Sequence, residues 1–289
     1  MSSNRIDEIM ASVATFPSMP GAAAQLLAML DDPAISATEV EEALRFDPGL
    51  TANILRLSNS AYFGFAAQVG SVRQAVVLLG AKRLMQVVTA TCVNAVMDRP
   101  VEGYGLSSGE LWQHSIAVSV AAELLMGELG LPDDPEIFTA ALLHDVGKLV
   151  LGQYIQDEAS GIQLGTADGL SFQMVERRVL GTDHAEVGAR ILKDWAFPDR
   201  IVNAVRWHHD PSGSDPADAM VDLIHLANVL CLMIGIGVGN EGLQYQPEPE
   251  ASDRLGLTTT YLERVASQTL QWVNEMSERL NPGTSRIES

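Results

Sequence analysis

The run TAALLHDVGKLVL, residues 139–151, constrains this chain more than any other stretch. Leu142, Leu143, Val146, Leu149 and Val150 suit a buried helix, yet His144, Asp145 and Lys148 sit among them. Burying an imidazole, a carboxylate and an ammonium is costly unless they are paired or bind a metal. On a continuous helix His144 and Lys148, four residues apart, share a face. The run predicts a buried helix with a polar site, and the rest of the chain must supply that site's partners.

The available partners are concentrated. All six histidines, His114, His144, His184, His208, His209 and His225, fall between positions 114 and 225. Singly, each reads more readily as a surface or satisfied core residue. Together, each in or at the end of an apolar helix, they point to a shared site. Imidazole with carboxylate suits iron, manganese or zinc. His208 and His209 are separated by about 100° on a helix and can face one cleft only near its end, which Pro211 supplies. Adjacent ligands of this kind suit two ions better than one tetrahedral ion, and Asp145 beside His144 is placed to bridge two. His225 and Asn228 are three apart and share a helix face.

Hydrophobic periodicity predicts an all-α fold. Helices are expected at 5–13, in GAAAQLLAML after the turn at Ser18-Met19-Pro20, in EVEEALRF, in LTANILRLSNSAYFGF, in SVRQAVVLLG up to Gly80, and in AKRLMQVVTATCVNAVM. Ser36 and Thr38 are N-cap candidates, with Thr38 and Glu41 at capping-box spacing. The turn-rich stretch 99–109 marks a boundary. Helices then follow in ELWQHSIAVSVAAELLMGELG, the opening run, SFQMVERRVLG, DHAEVGARILKDWAF, DRIVNAVRWHHD and ADAMVDLIHLANVLCLMIG. Residues 239–253 read as a linker, TTTYLERVASQTLQWVNEMSERL as a last helix and NPGTSRIES as a frayed tail.

Two motifs are decoys. Gly105–Gly109 matches a hydrolase GxSxG elbow, but no strand precedes it, and Ser107 with Glu110 reads as a helix start. Gly237–Gly242 matches GxGxxG, yet LQYQPEPE cannot open the helix a pyrophosphate needs. A net charge of −19 disfavours direct contact with nucleic acid or an anionic membrane. Cys92 and Cys231 read as small buried hydrophobes in a reducing compartment. The N-terminus has no signal-peptide core, and the apolar run 229–238 is too short to span a bilayer. The expected location is the cytoplasm.

His114 followed by His144-Asp145 and a late polar ligand resembles the HD superfamily of metal-dependent phosphohydrolases. HDVGK, DHAEVGARIL and WHHD are similar to its HD-GYP branch, which hydrolyses cyclic di-GMP with two or three metals. The N-terminal half, with FPSMPGAAAQLLAML, RFDPGLTANILRLSNSAYFG and SVRQAVVLLGAKRL, resembles the HDOD domain, the HD-related output domain of bacterial signalling proteins. The resemblance covers roughly residues 12–235, with the Asp47-Pro48 and Asn59-Ser60 blocks as its specific marks.

The resemblance implies an all-α, multi-helix HDOD fold with an N-terminal helical part (1–103) packed on an HD-like metal-binding core (104–238), followed by linker and C-terminal helix (239–289). It implies His114, His144, Asp145, His184, His208, His209 and Asn228 as metal ligands, holding a divalent transition metal, iron or manganese rather than zinc, in a dinuclear arrangement. Asn228 stands where the family pattern has an aspartate, and an amide oxygen is a weaker ligand. No Gly-Tyr-Pro follows His208-His209. Lys148 matches a lysine that contacts phosphate in the enzymatic branch, or it is a helix-surface lysine or a partner for Asp145. The expected function is a regulatory signalling module without catalysis, with a metal-dependent phosphodiesterase or phosphohydrolase as the alternative and a metal or redox sensor between them. The expected partners are a signalling protein or a nucleotide, with the C-terminal helix either capping the domain or mediating a homodimer.

Overall fold

The computed structural model describes residues 2–16, 29, 35–44, 48–59, 69–158, 161–162, 169–241 and 246–280. Among those residues the regular secondary structure is helical, with no strand beyond one isolated bridge between Val101 and Leu106. The helix expected in GAAAQLLAML, the turn at Ser18-Met19-Pro20, Asp47, Ser60 and the tail lie outside the described residues.

The chain forms two compact units. One comprises 1–17 and 97–267, the other 18–96 and 268–289. Helix α1 (Ser2–Ala14) therefore groups with the histidine-bearing residues. The second unit contains α2 (Ala37–Leu44), α3 (Pro48–Ser58) and α4 (Val72–Met97) up to residue 96. The cap of α2 is Ser36 with Glu39, two residues earlier than the Thr38–Glu41 pair. The Ser36 hydroxyl accepts from the Glu39 N–H at 3.3 Å, and the Glu39 carboxylate accepts from the Ser36 N–H at 2.9 Å. Gly80, expected as a helix end, interrupts α4 with a left-handed φ of 72°. By length and composition Val72–Asn94 could cross a membrane, and half of its most apolar window is buried. Asn59 closes the end of α3. Its amide donates to the Leu55 and Val69 carbonyls at 2.7 and 2.9 Å and accepts from the Val69 N–H at 2.8 Å.

In the first unit, α5 (Glu110–Glu128) and α11 (Ala219–Met233) are apolar nearly all round and form its centre. Between them in sequence lie α6 (Ile137–Leu143), α7 (Lys148–Asp157), α8 (Phe172–Leu180), α9 (His184–Asp194) and α10 (Asp199–Trp207). Helix α5 packs on α6 and α11, and α10 packs on α6, α9 and α11. The starts of α8, α9 and α11 are fixed by Ser171, Asp183 and Asp218, each accepting a backbone N–H.

The opening run is not one helix. The chain leaves α6 after Leu143 and begins α7 at Lys148. Between them Val146 N–H donates to the Leu143 carbonyl at 3.0 Å and Lys148 N–H to that of Asp145 at 3.0 Å, a tight three-residue winding. The backbone stays in the right-handed region at His144 and Gly147, so the break is a change of pitch. Gly147 permits a close contact at this break. A Cβ there would lie 2.0 Å from the His184 carbonyl oxygen, so only glycine lets this turn press on the start of α9.

Candidate metal centre

That close approach assembles the site. His144 and Asp145 enter from the α6–α7 turn, His114 from mid-α5, His184 from the first position of α9, and His208 and His209 from just past the end of α10. Two groups of ligand atoms result, each spanning less than 4.8 Å: His114, His144 and Asp145, and Asp145, His184, His208 and His209. Asp145 belongs to both. Its Oδ2 lies 3.5 Å from His114 Nε2 and 3.3 Å from His144 Nε2, while its Oδ1 lies 3.4 Å from His184 Nε2 and 3.8 Å from His208 Nε2.

The outer ring nitrogens are held. Nδ1 donates to the Ile236 carbonyl from His114 (2.9 Å), to Ala141 from His144 (2.7 Å), and to Val205 from His208 (2.7 Å). His184 Nδ1 donates to the Glu176 carboxylate at 2.8 Å. Pinning Nδ1 fixes ring orientation and turns Nε2 inward, and His184 Nε2 there lies 2.8 Å from His209 Nε2. His144 Nε2, His208 Nε2 and Asp145 Oδ1 have no hydrogen-bond partner among the described residues, and all three residues are 0% exposed. Buried orphan acceptors are costly in a structural core. A cation in either group would satisfy the acceptors that face it, so these residues fit metal ions.

Asn228, on α11, reaches the first group. Its Oδ1 lies 3.0 Å from His114 Nε2, where neutral His114 presents a lone pair. Either the amide is turned to donate, or the two acceptors share a cation. His225, on the same helix, is in neither group. Its Nδ1 donates to the His208 carbonyl at 2.8 Å, and its Nε2 accepts from the Glu248 N–H at 2.9 Å.

The two sides differ electrostatically. Burial pushes His114 down to about 3, only partly countered by Asp145. Burial, then the charge of neighbouring histidines, holds His208 and His209 well below the usual imidazole range. Burial acts the same way on His184, but the Glu176 carboxylate overrides it and raises this ring to about 9. Burial would raise Asp145, yet His144 and Lys148 hold it well below the usual carboxylate range.

Lys148 is buried, not on a helix surface. Its Nζ lies 2.8 Å from Asp145 Oδ2, forms a short ion pair with Glu241, and sits 5.4 Å from the Tyr104 ring centre. Glu241, Glu176 and Tyr104 were not legible as parts of the site. Tyr104 donates a short hydrogen bond to Glu176, which also accepts from the His184 N–H at 3.0 Å. Glu176 did carry a signal: with Phe172, Val175 and Leu180 it lies on the buried stripe of α8. Tyr104 is hidden in the turn-rich stretch. Glu241 lies in the supposed linker 239–253, which instead contains this buried residue and a further helix, α12 (Pro249–Leu255).

A family profile described as the HDOD domain matches residues 16–211. The chain belongs to the HDOD family. An HDOD domain protein of unknown function from Geobacter sulfurreducens is similar, with 26% identity, a TM-score of 0.70, and 98% of this chain and 90% of that one covered. A Shewanella amazonensis protein provisionally assigned as a phosphohydrolase has 25% identity, a TM-score of 0.72 and coverage of 94% and 97%. Ribonuclease Y from Thermus thermophilus is 29% identical over 147 residues, covering 50% of this chain and 20% of its own length. This HDOD chain spans less than half the length of the curated relatives it matches first.

Proposed function

We propose that this HDOD protein is a cytoplasmic signal-transduction output module that binds two transition-metal ions about Asp145 as a regulatory centre and does not turn over a phosphodiester. The observation that carries the reading is the combination of pinned Nδ1 atoms and orphaned Nε2 atoms. Six of the seven expected ligands meet in two groups sharing Asp145, and Asn228 contacts His114. An all nitrogen and oxygen donor set favours iron or manganese over zinc held by thiolates. A bound ion would supply Lewis acidity and a fixed charge at Asp145.

Three features support binding without catalysis. His114, His144, Asp145, His184 and His208 are all buried, and His209 alone among the grouped ligands is partly exposed. Asn228 provides no charge where a carboxylate is expected. Lys148 already carries two carboxylate partners, so it is not poised for a substrate phosphate.

The test is elemental analysis of protein purified without chelator, beside a His184→Ala variant, with a hydrolysis panel of cyclic di-GMP, other phosphodiesters and nucleotides. Two ions per chain with no turnover supports the module. Turnover by loaded protein that fails in Lys148→Met replaces it with a phosphohydrolase, the second reading that the shared bridging carboxylate favours. We also propose a protein partner or nucleotide as the downstream ligand and a second copy of the chain as a contact for the C-terminal helix.

A further inference from the structure

The Lys148–Glu241 pair has no role in the ligand set, and its arrangement is unusual for a simple ion pair. One buried ammonium already has a buried carboxylate, Asp145, at 2.8 Å. A second buried carboxylate on the same ammonium adds a desolvation cost that the first pair does not need repaid. Glu241 is 2% exposed, and neither of its oxygens has another hydrogen-bond partner among the described residues. Burial raises its carboxyl group above the ordinary range and Lys148 opposes the rise.

Glu241 is nonetheless held firmly. The residue before it, Asn240, donates its backbone N–H to the Tyr104 carbonyl at 2.7 Å and its side-chain amide to the Gly103 carbonyl at 3.3 Å. Gly239, with a φ of 47°, passes so near Tyr104 that a Cβ would meet its carbonyl oxygen at 2.3 Å. Gly237, at a φ of 73°, crosses His114, and Ile236 accepts from the His114 ring. Residues 236–241 thus run from a candidate ligand to the ammonium, with two glycines allowing the close path.

Asp145 Oδ2 is the oxygen that faces His114 and His144. Lys148 Nζ is on that same oxygen. An ammonium and a divalent ion cannot both be well placed on one carboxylate oxygen, because they repel and compete for its lone pairs. We infer that Lys148 is a place-holding cation for the His114–His144–Asp145 compartment, and that Glu241 is the acceptor that draws its ammonium off Asp145 when an ion binds. The inference rests on the metal reading above and adds to it two residues, with opposite effects on metal affinity.

The test uses the full chain and Mn2+ alone, titrated against a chelating indicator, with a structure of the Mn2+-loaded wild-type protein. Lys148→Met is expected to tighten the first compartment and Glu241→Gln to loosen it, each by about 10–100-fold, the range usual for groups just outside a metal's ligands. The double variant is expected to bind at least as tightly as wild type. In the loaded wild type, Nζ should lie beyond 4.0 Å of Asp145, outside ion-pair range, and remain on Glu241. Loosening by both single variants overturns the inference, as does an ammonium still on Asp145 Oδ2 with both ions present. That loaded structure decides the matter even if a variant fails to fold. No Mn2+ on wild-type protein overturns the metal reading itself and the inference with it, whereas two ions with same-sign variants overturn the inference alone.

Discussion

The two sides of Asp145 solve the same chemical problem with opposite means. On one side His114 and His144 donate Nδ1 to backbone carbonyls, Asn228 adds a neutral amide, and the charge is Lys148. On the other, His184 leans on the Glu176 carboxylate, itself held by Tyr104, and His208 and His209 complete the group. One side keeps a cation beside the shared carboxylate; the other keeps an anion behind a ligand. An anion behind a histidine raises its basicity and its value as a ligand. On the two-ion proposal, the His184 compartment would be the stronger ion site and the His114 compartment the one open to regulation.

Asp145→Asn tests what the two sides share, and carries the largest expected effect. It removes the only carboxylate common to both groups, so both ions should be lost, with a change of about 100-fold or more in each affinity by Mn2+ titration. Loss of one ion alone would break the bridging assignment. His184→Ala and His114→Ala come next and should separate the sides. Each should lower the count by one ion per chain by elemental analysis, with the surviving ion spectroscopically different in the two variants.

The histidine pair also sets a pH contrast. The Glu176 carboxylate raises His184 to about 9, so below that pH an ion entering its compartment would displace a proton. Apparent affinity there should rise about tenfold per pH unit from 6 to 8 and level off above about 9. His114 titrates near 3, so its ring is already neutral and its proton contributes no slope over that range. Isothermal titrations in buffers of different ionisation enthalpy count the released protons, and Glu176→Gln should flatten the slope by removing the anion that holds the proton on. Equal slopes for both ions would contradict the asymmetry.

Helical periodicity made the fold readable, because α8, α9 and α10 carry clear apolar stripes. The histidines of the candidate site were readable because histidine is rare and clustered. What escaped has a common cause: it depends on chain segments meeting in space. The close approach of Gly147 to His184 beside the break at 144–147 is one that no local pattern encodes. Glu241 sits in a stretch whose glycines and glutamates look like solvent-exposed linker, and its burial comes from Tyr104 and Lys148, more than ninety residues away in sequence. Grouping α1 with the histidine-bearing unit was equally non-local. It brings Ser12 within 2.6 Å of the Tyr154 hydroxyl on α7.

The smallest expected effect concerns His225, which the sequence placed on the same face as Asn228 without a role. It holds the His208 carbonyl at 2.8 Å, and its own acceptor is filled by the Glu248 N–H. Both ring nitrogens are thus spent, and burial lowers the ring's proton affinity further, so it is neither ligand nor charge. Its influence must pass through the backbone of the His208–His209 pair. His225→Phe removes both hydrogen bonds while keeping the volume near that of an aromatic core residue. Affinity in the His184 compartment should fall about tenfold, as for other groups that orient ligands, with the His114 compartment unchanged. His225→Gln, which can keep the bond to the His208 carbonyl, should recover part of the loss. Equal weakening of both ions would mean His225 stabilises the whole unit instead of orienting the His208–His209 pair.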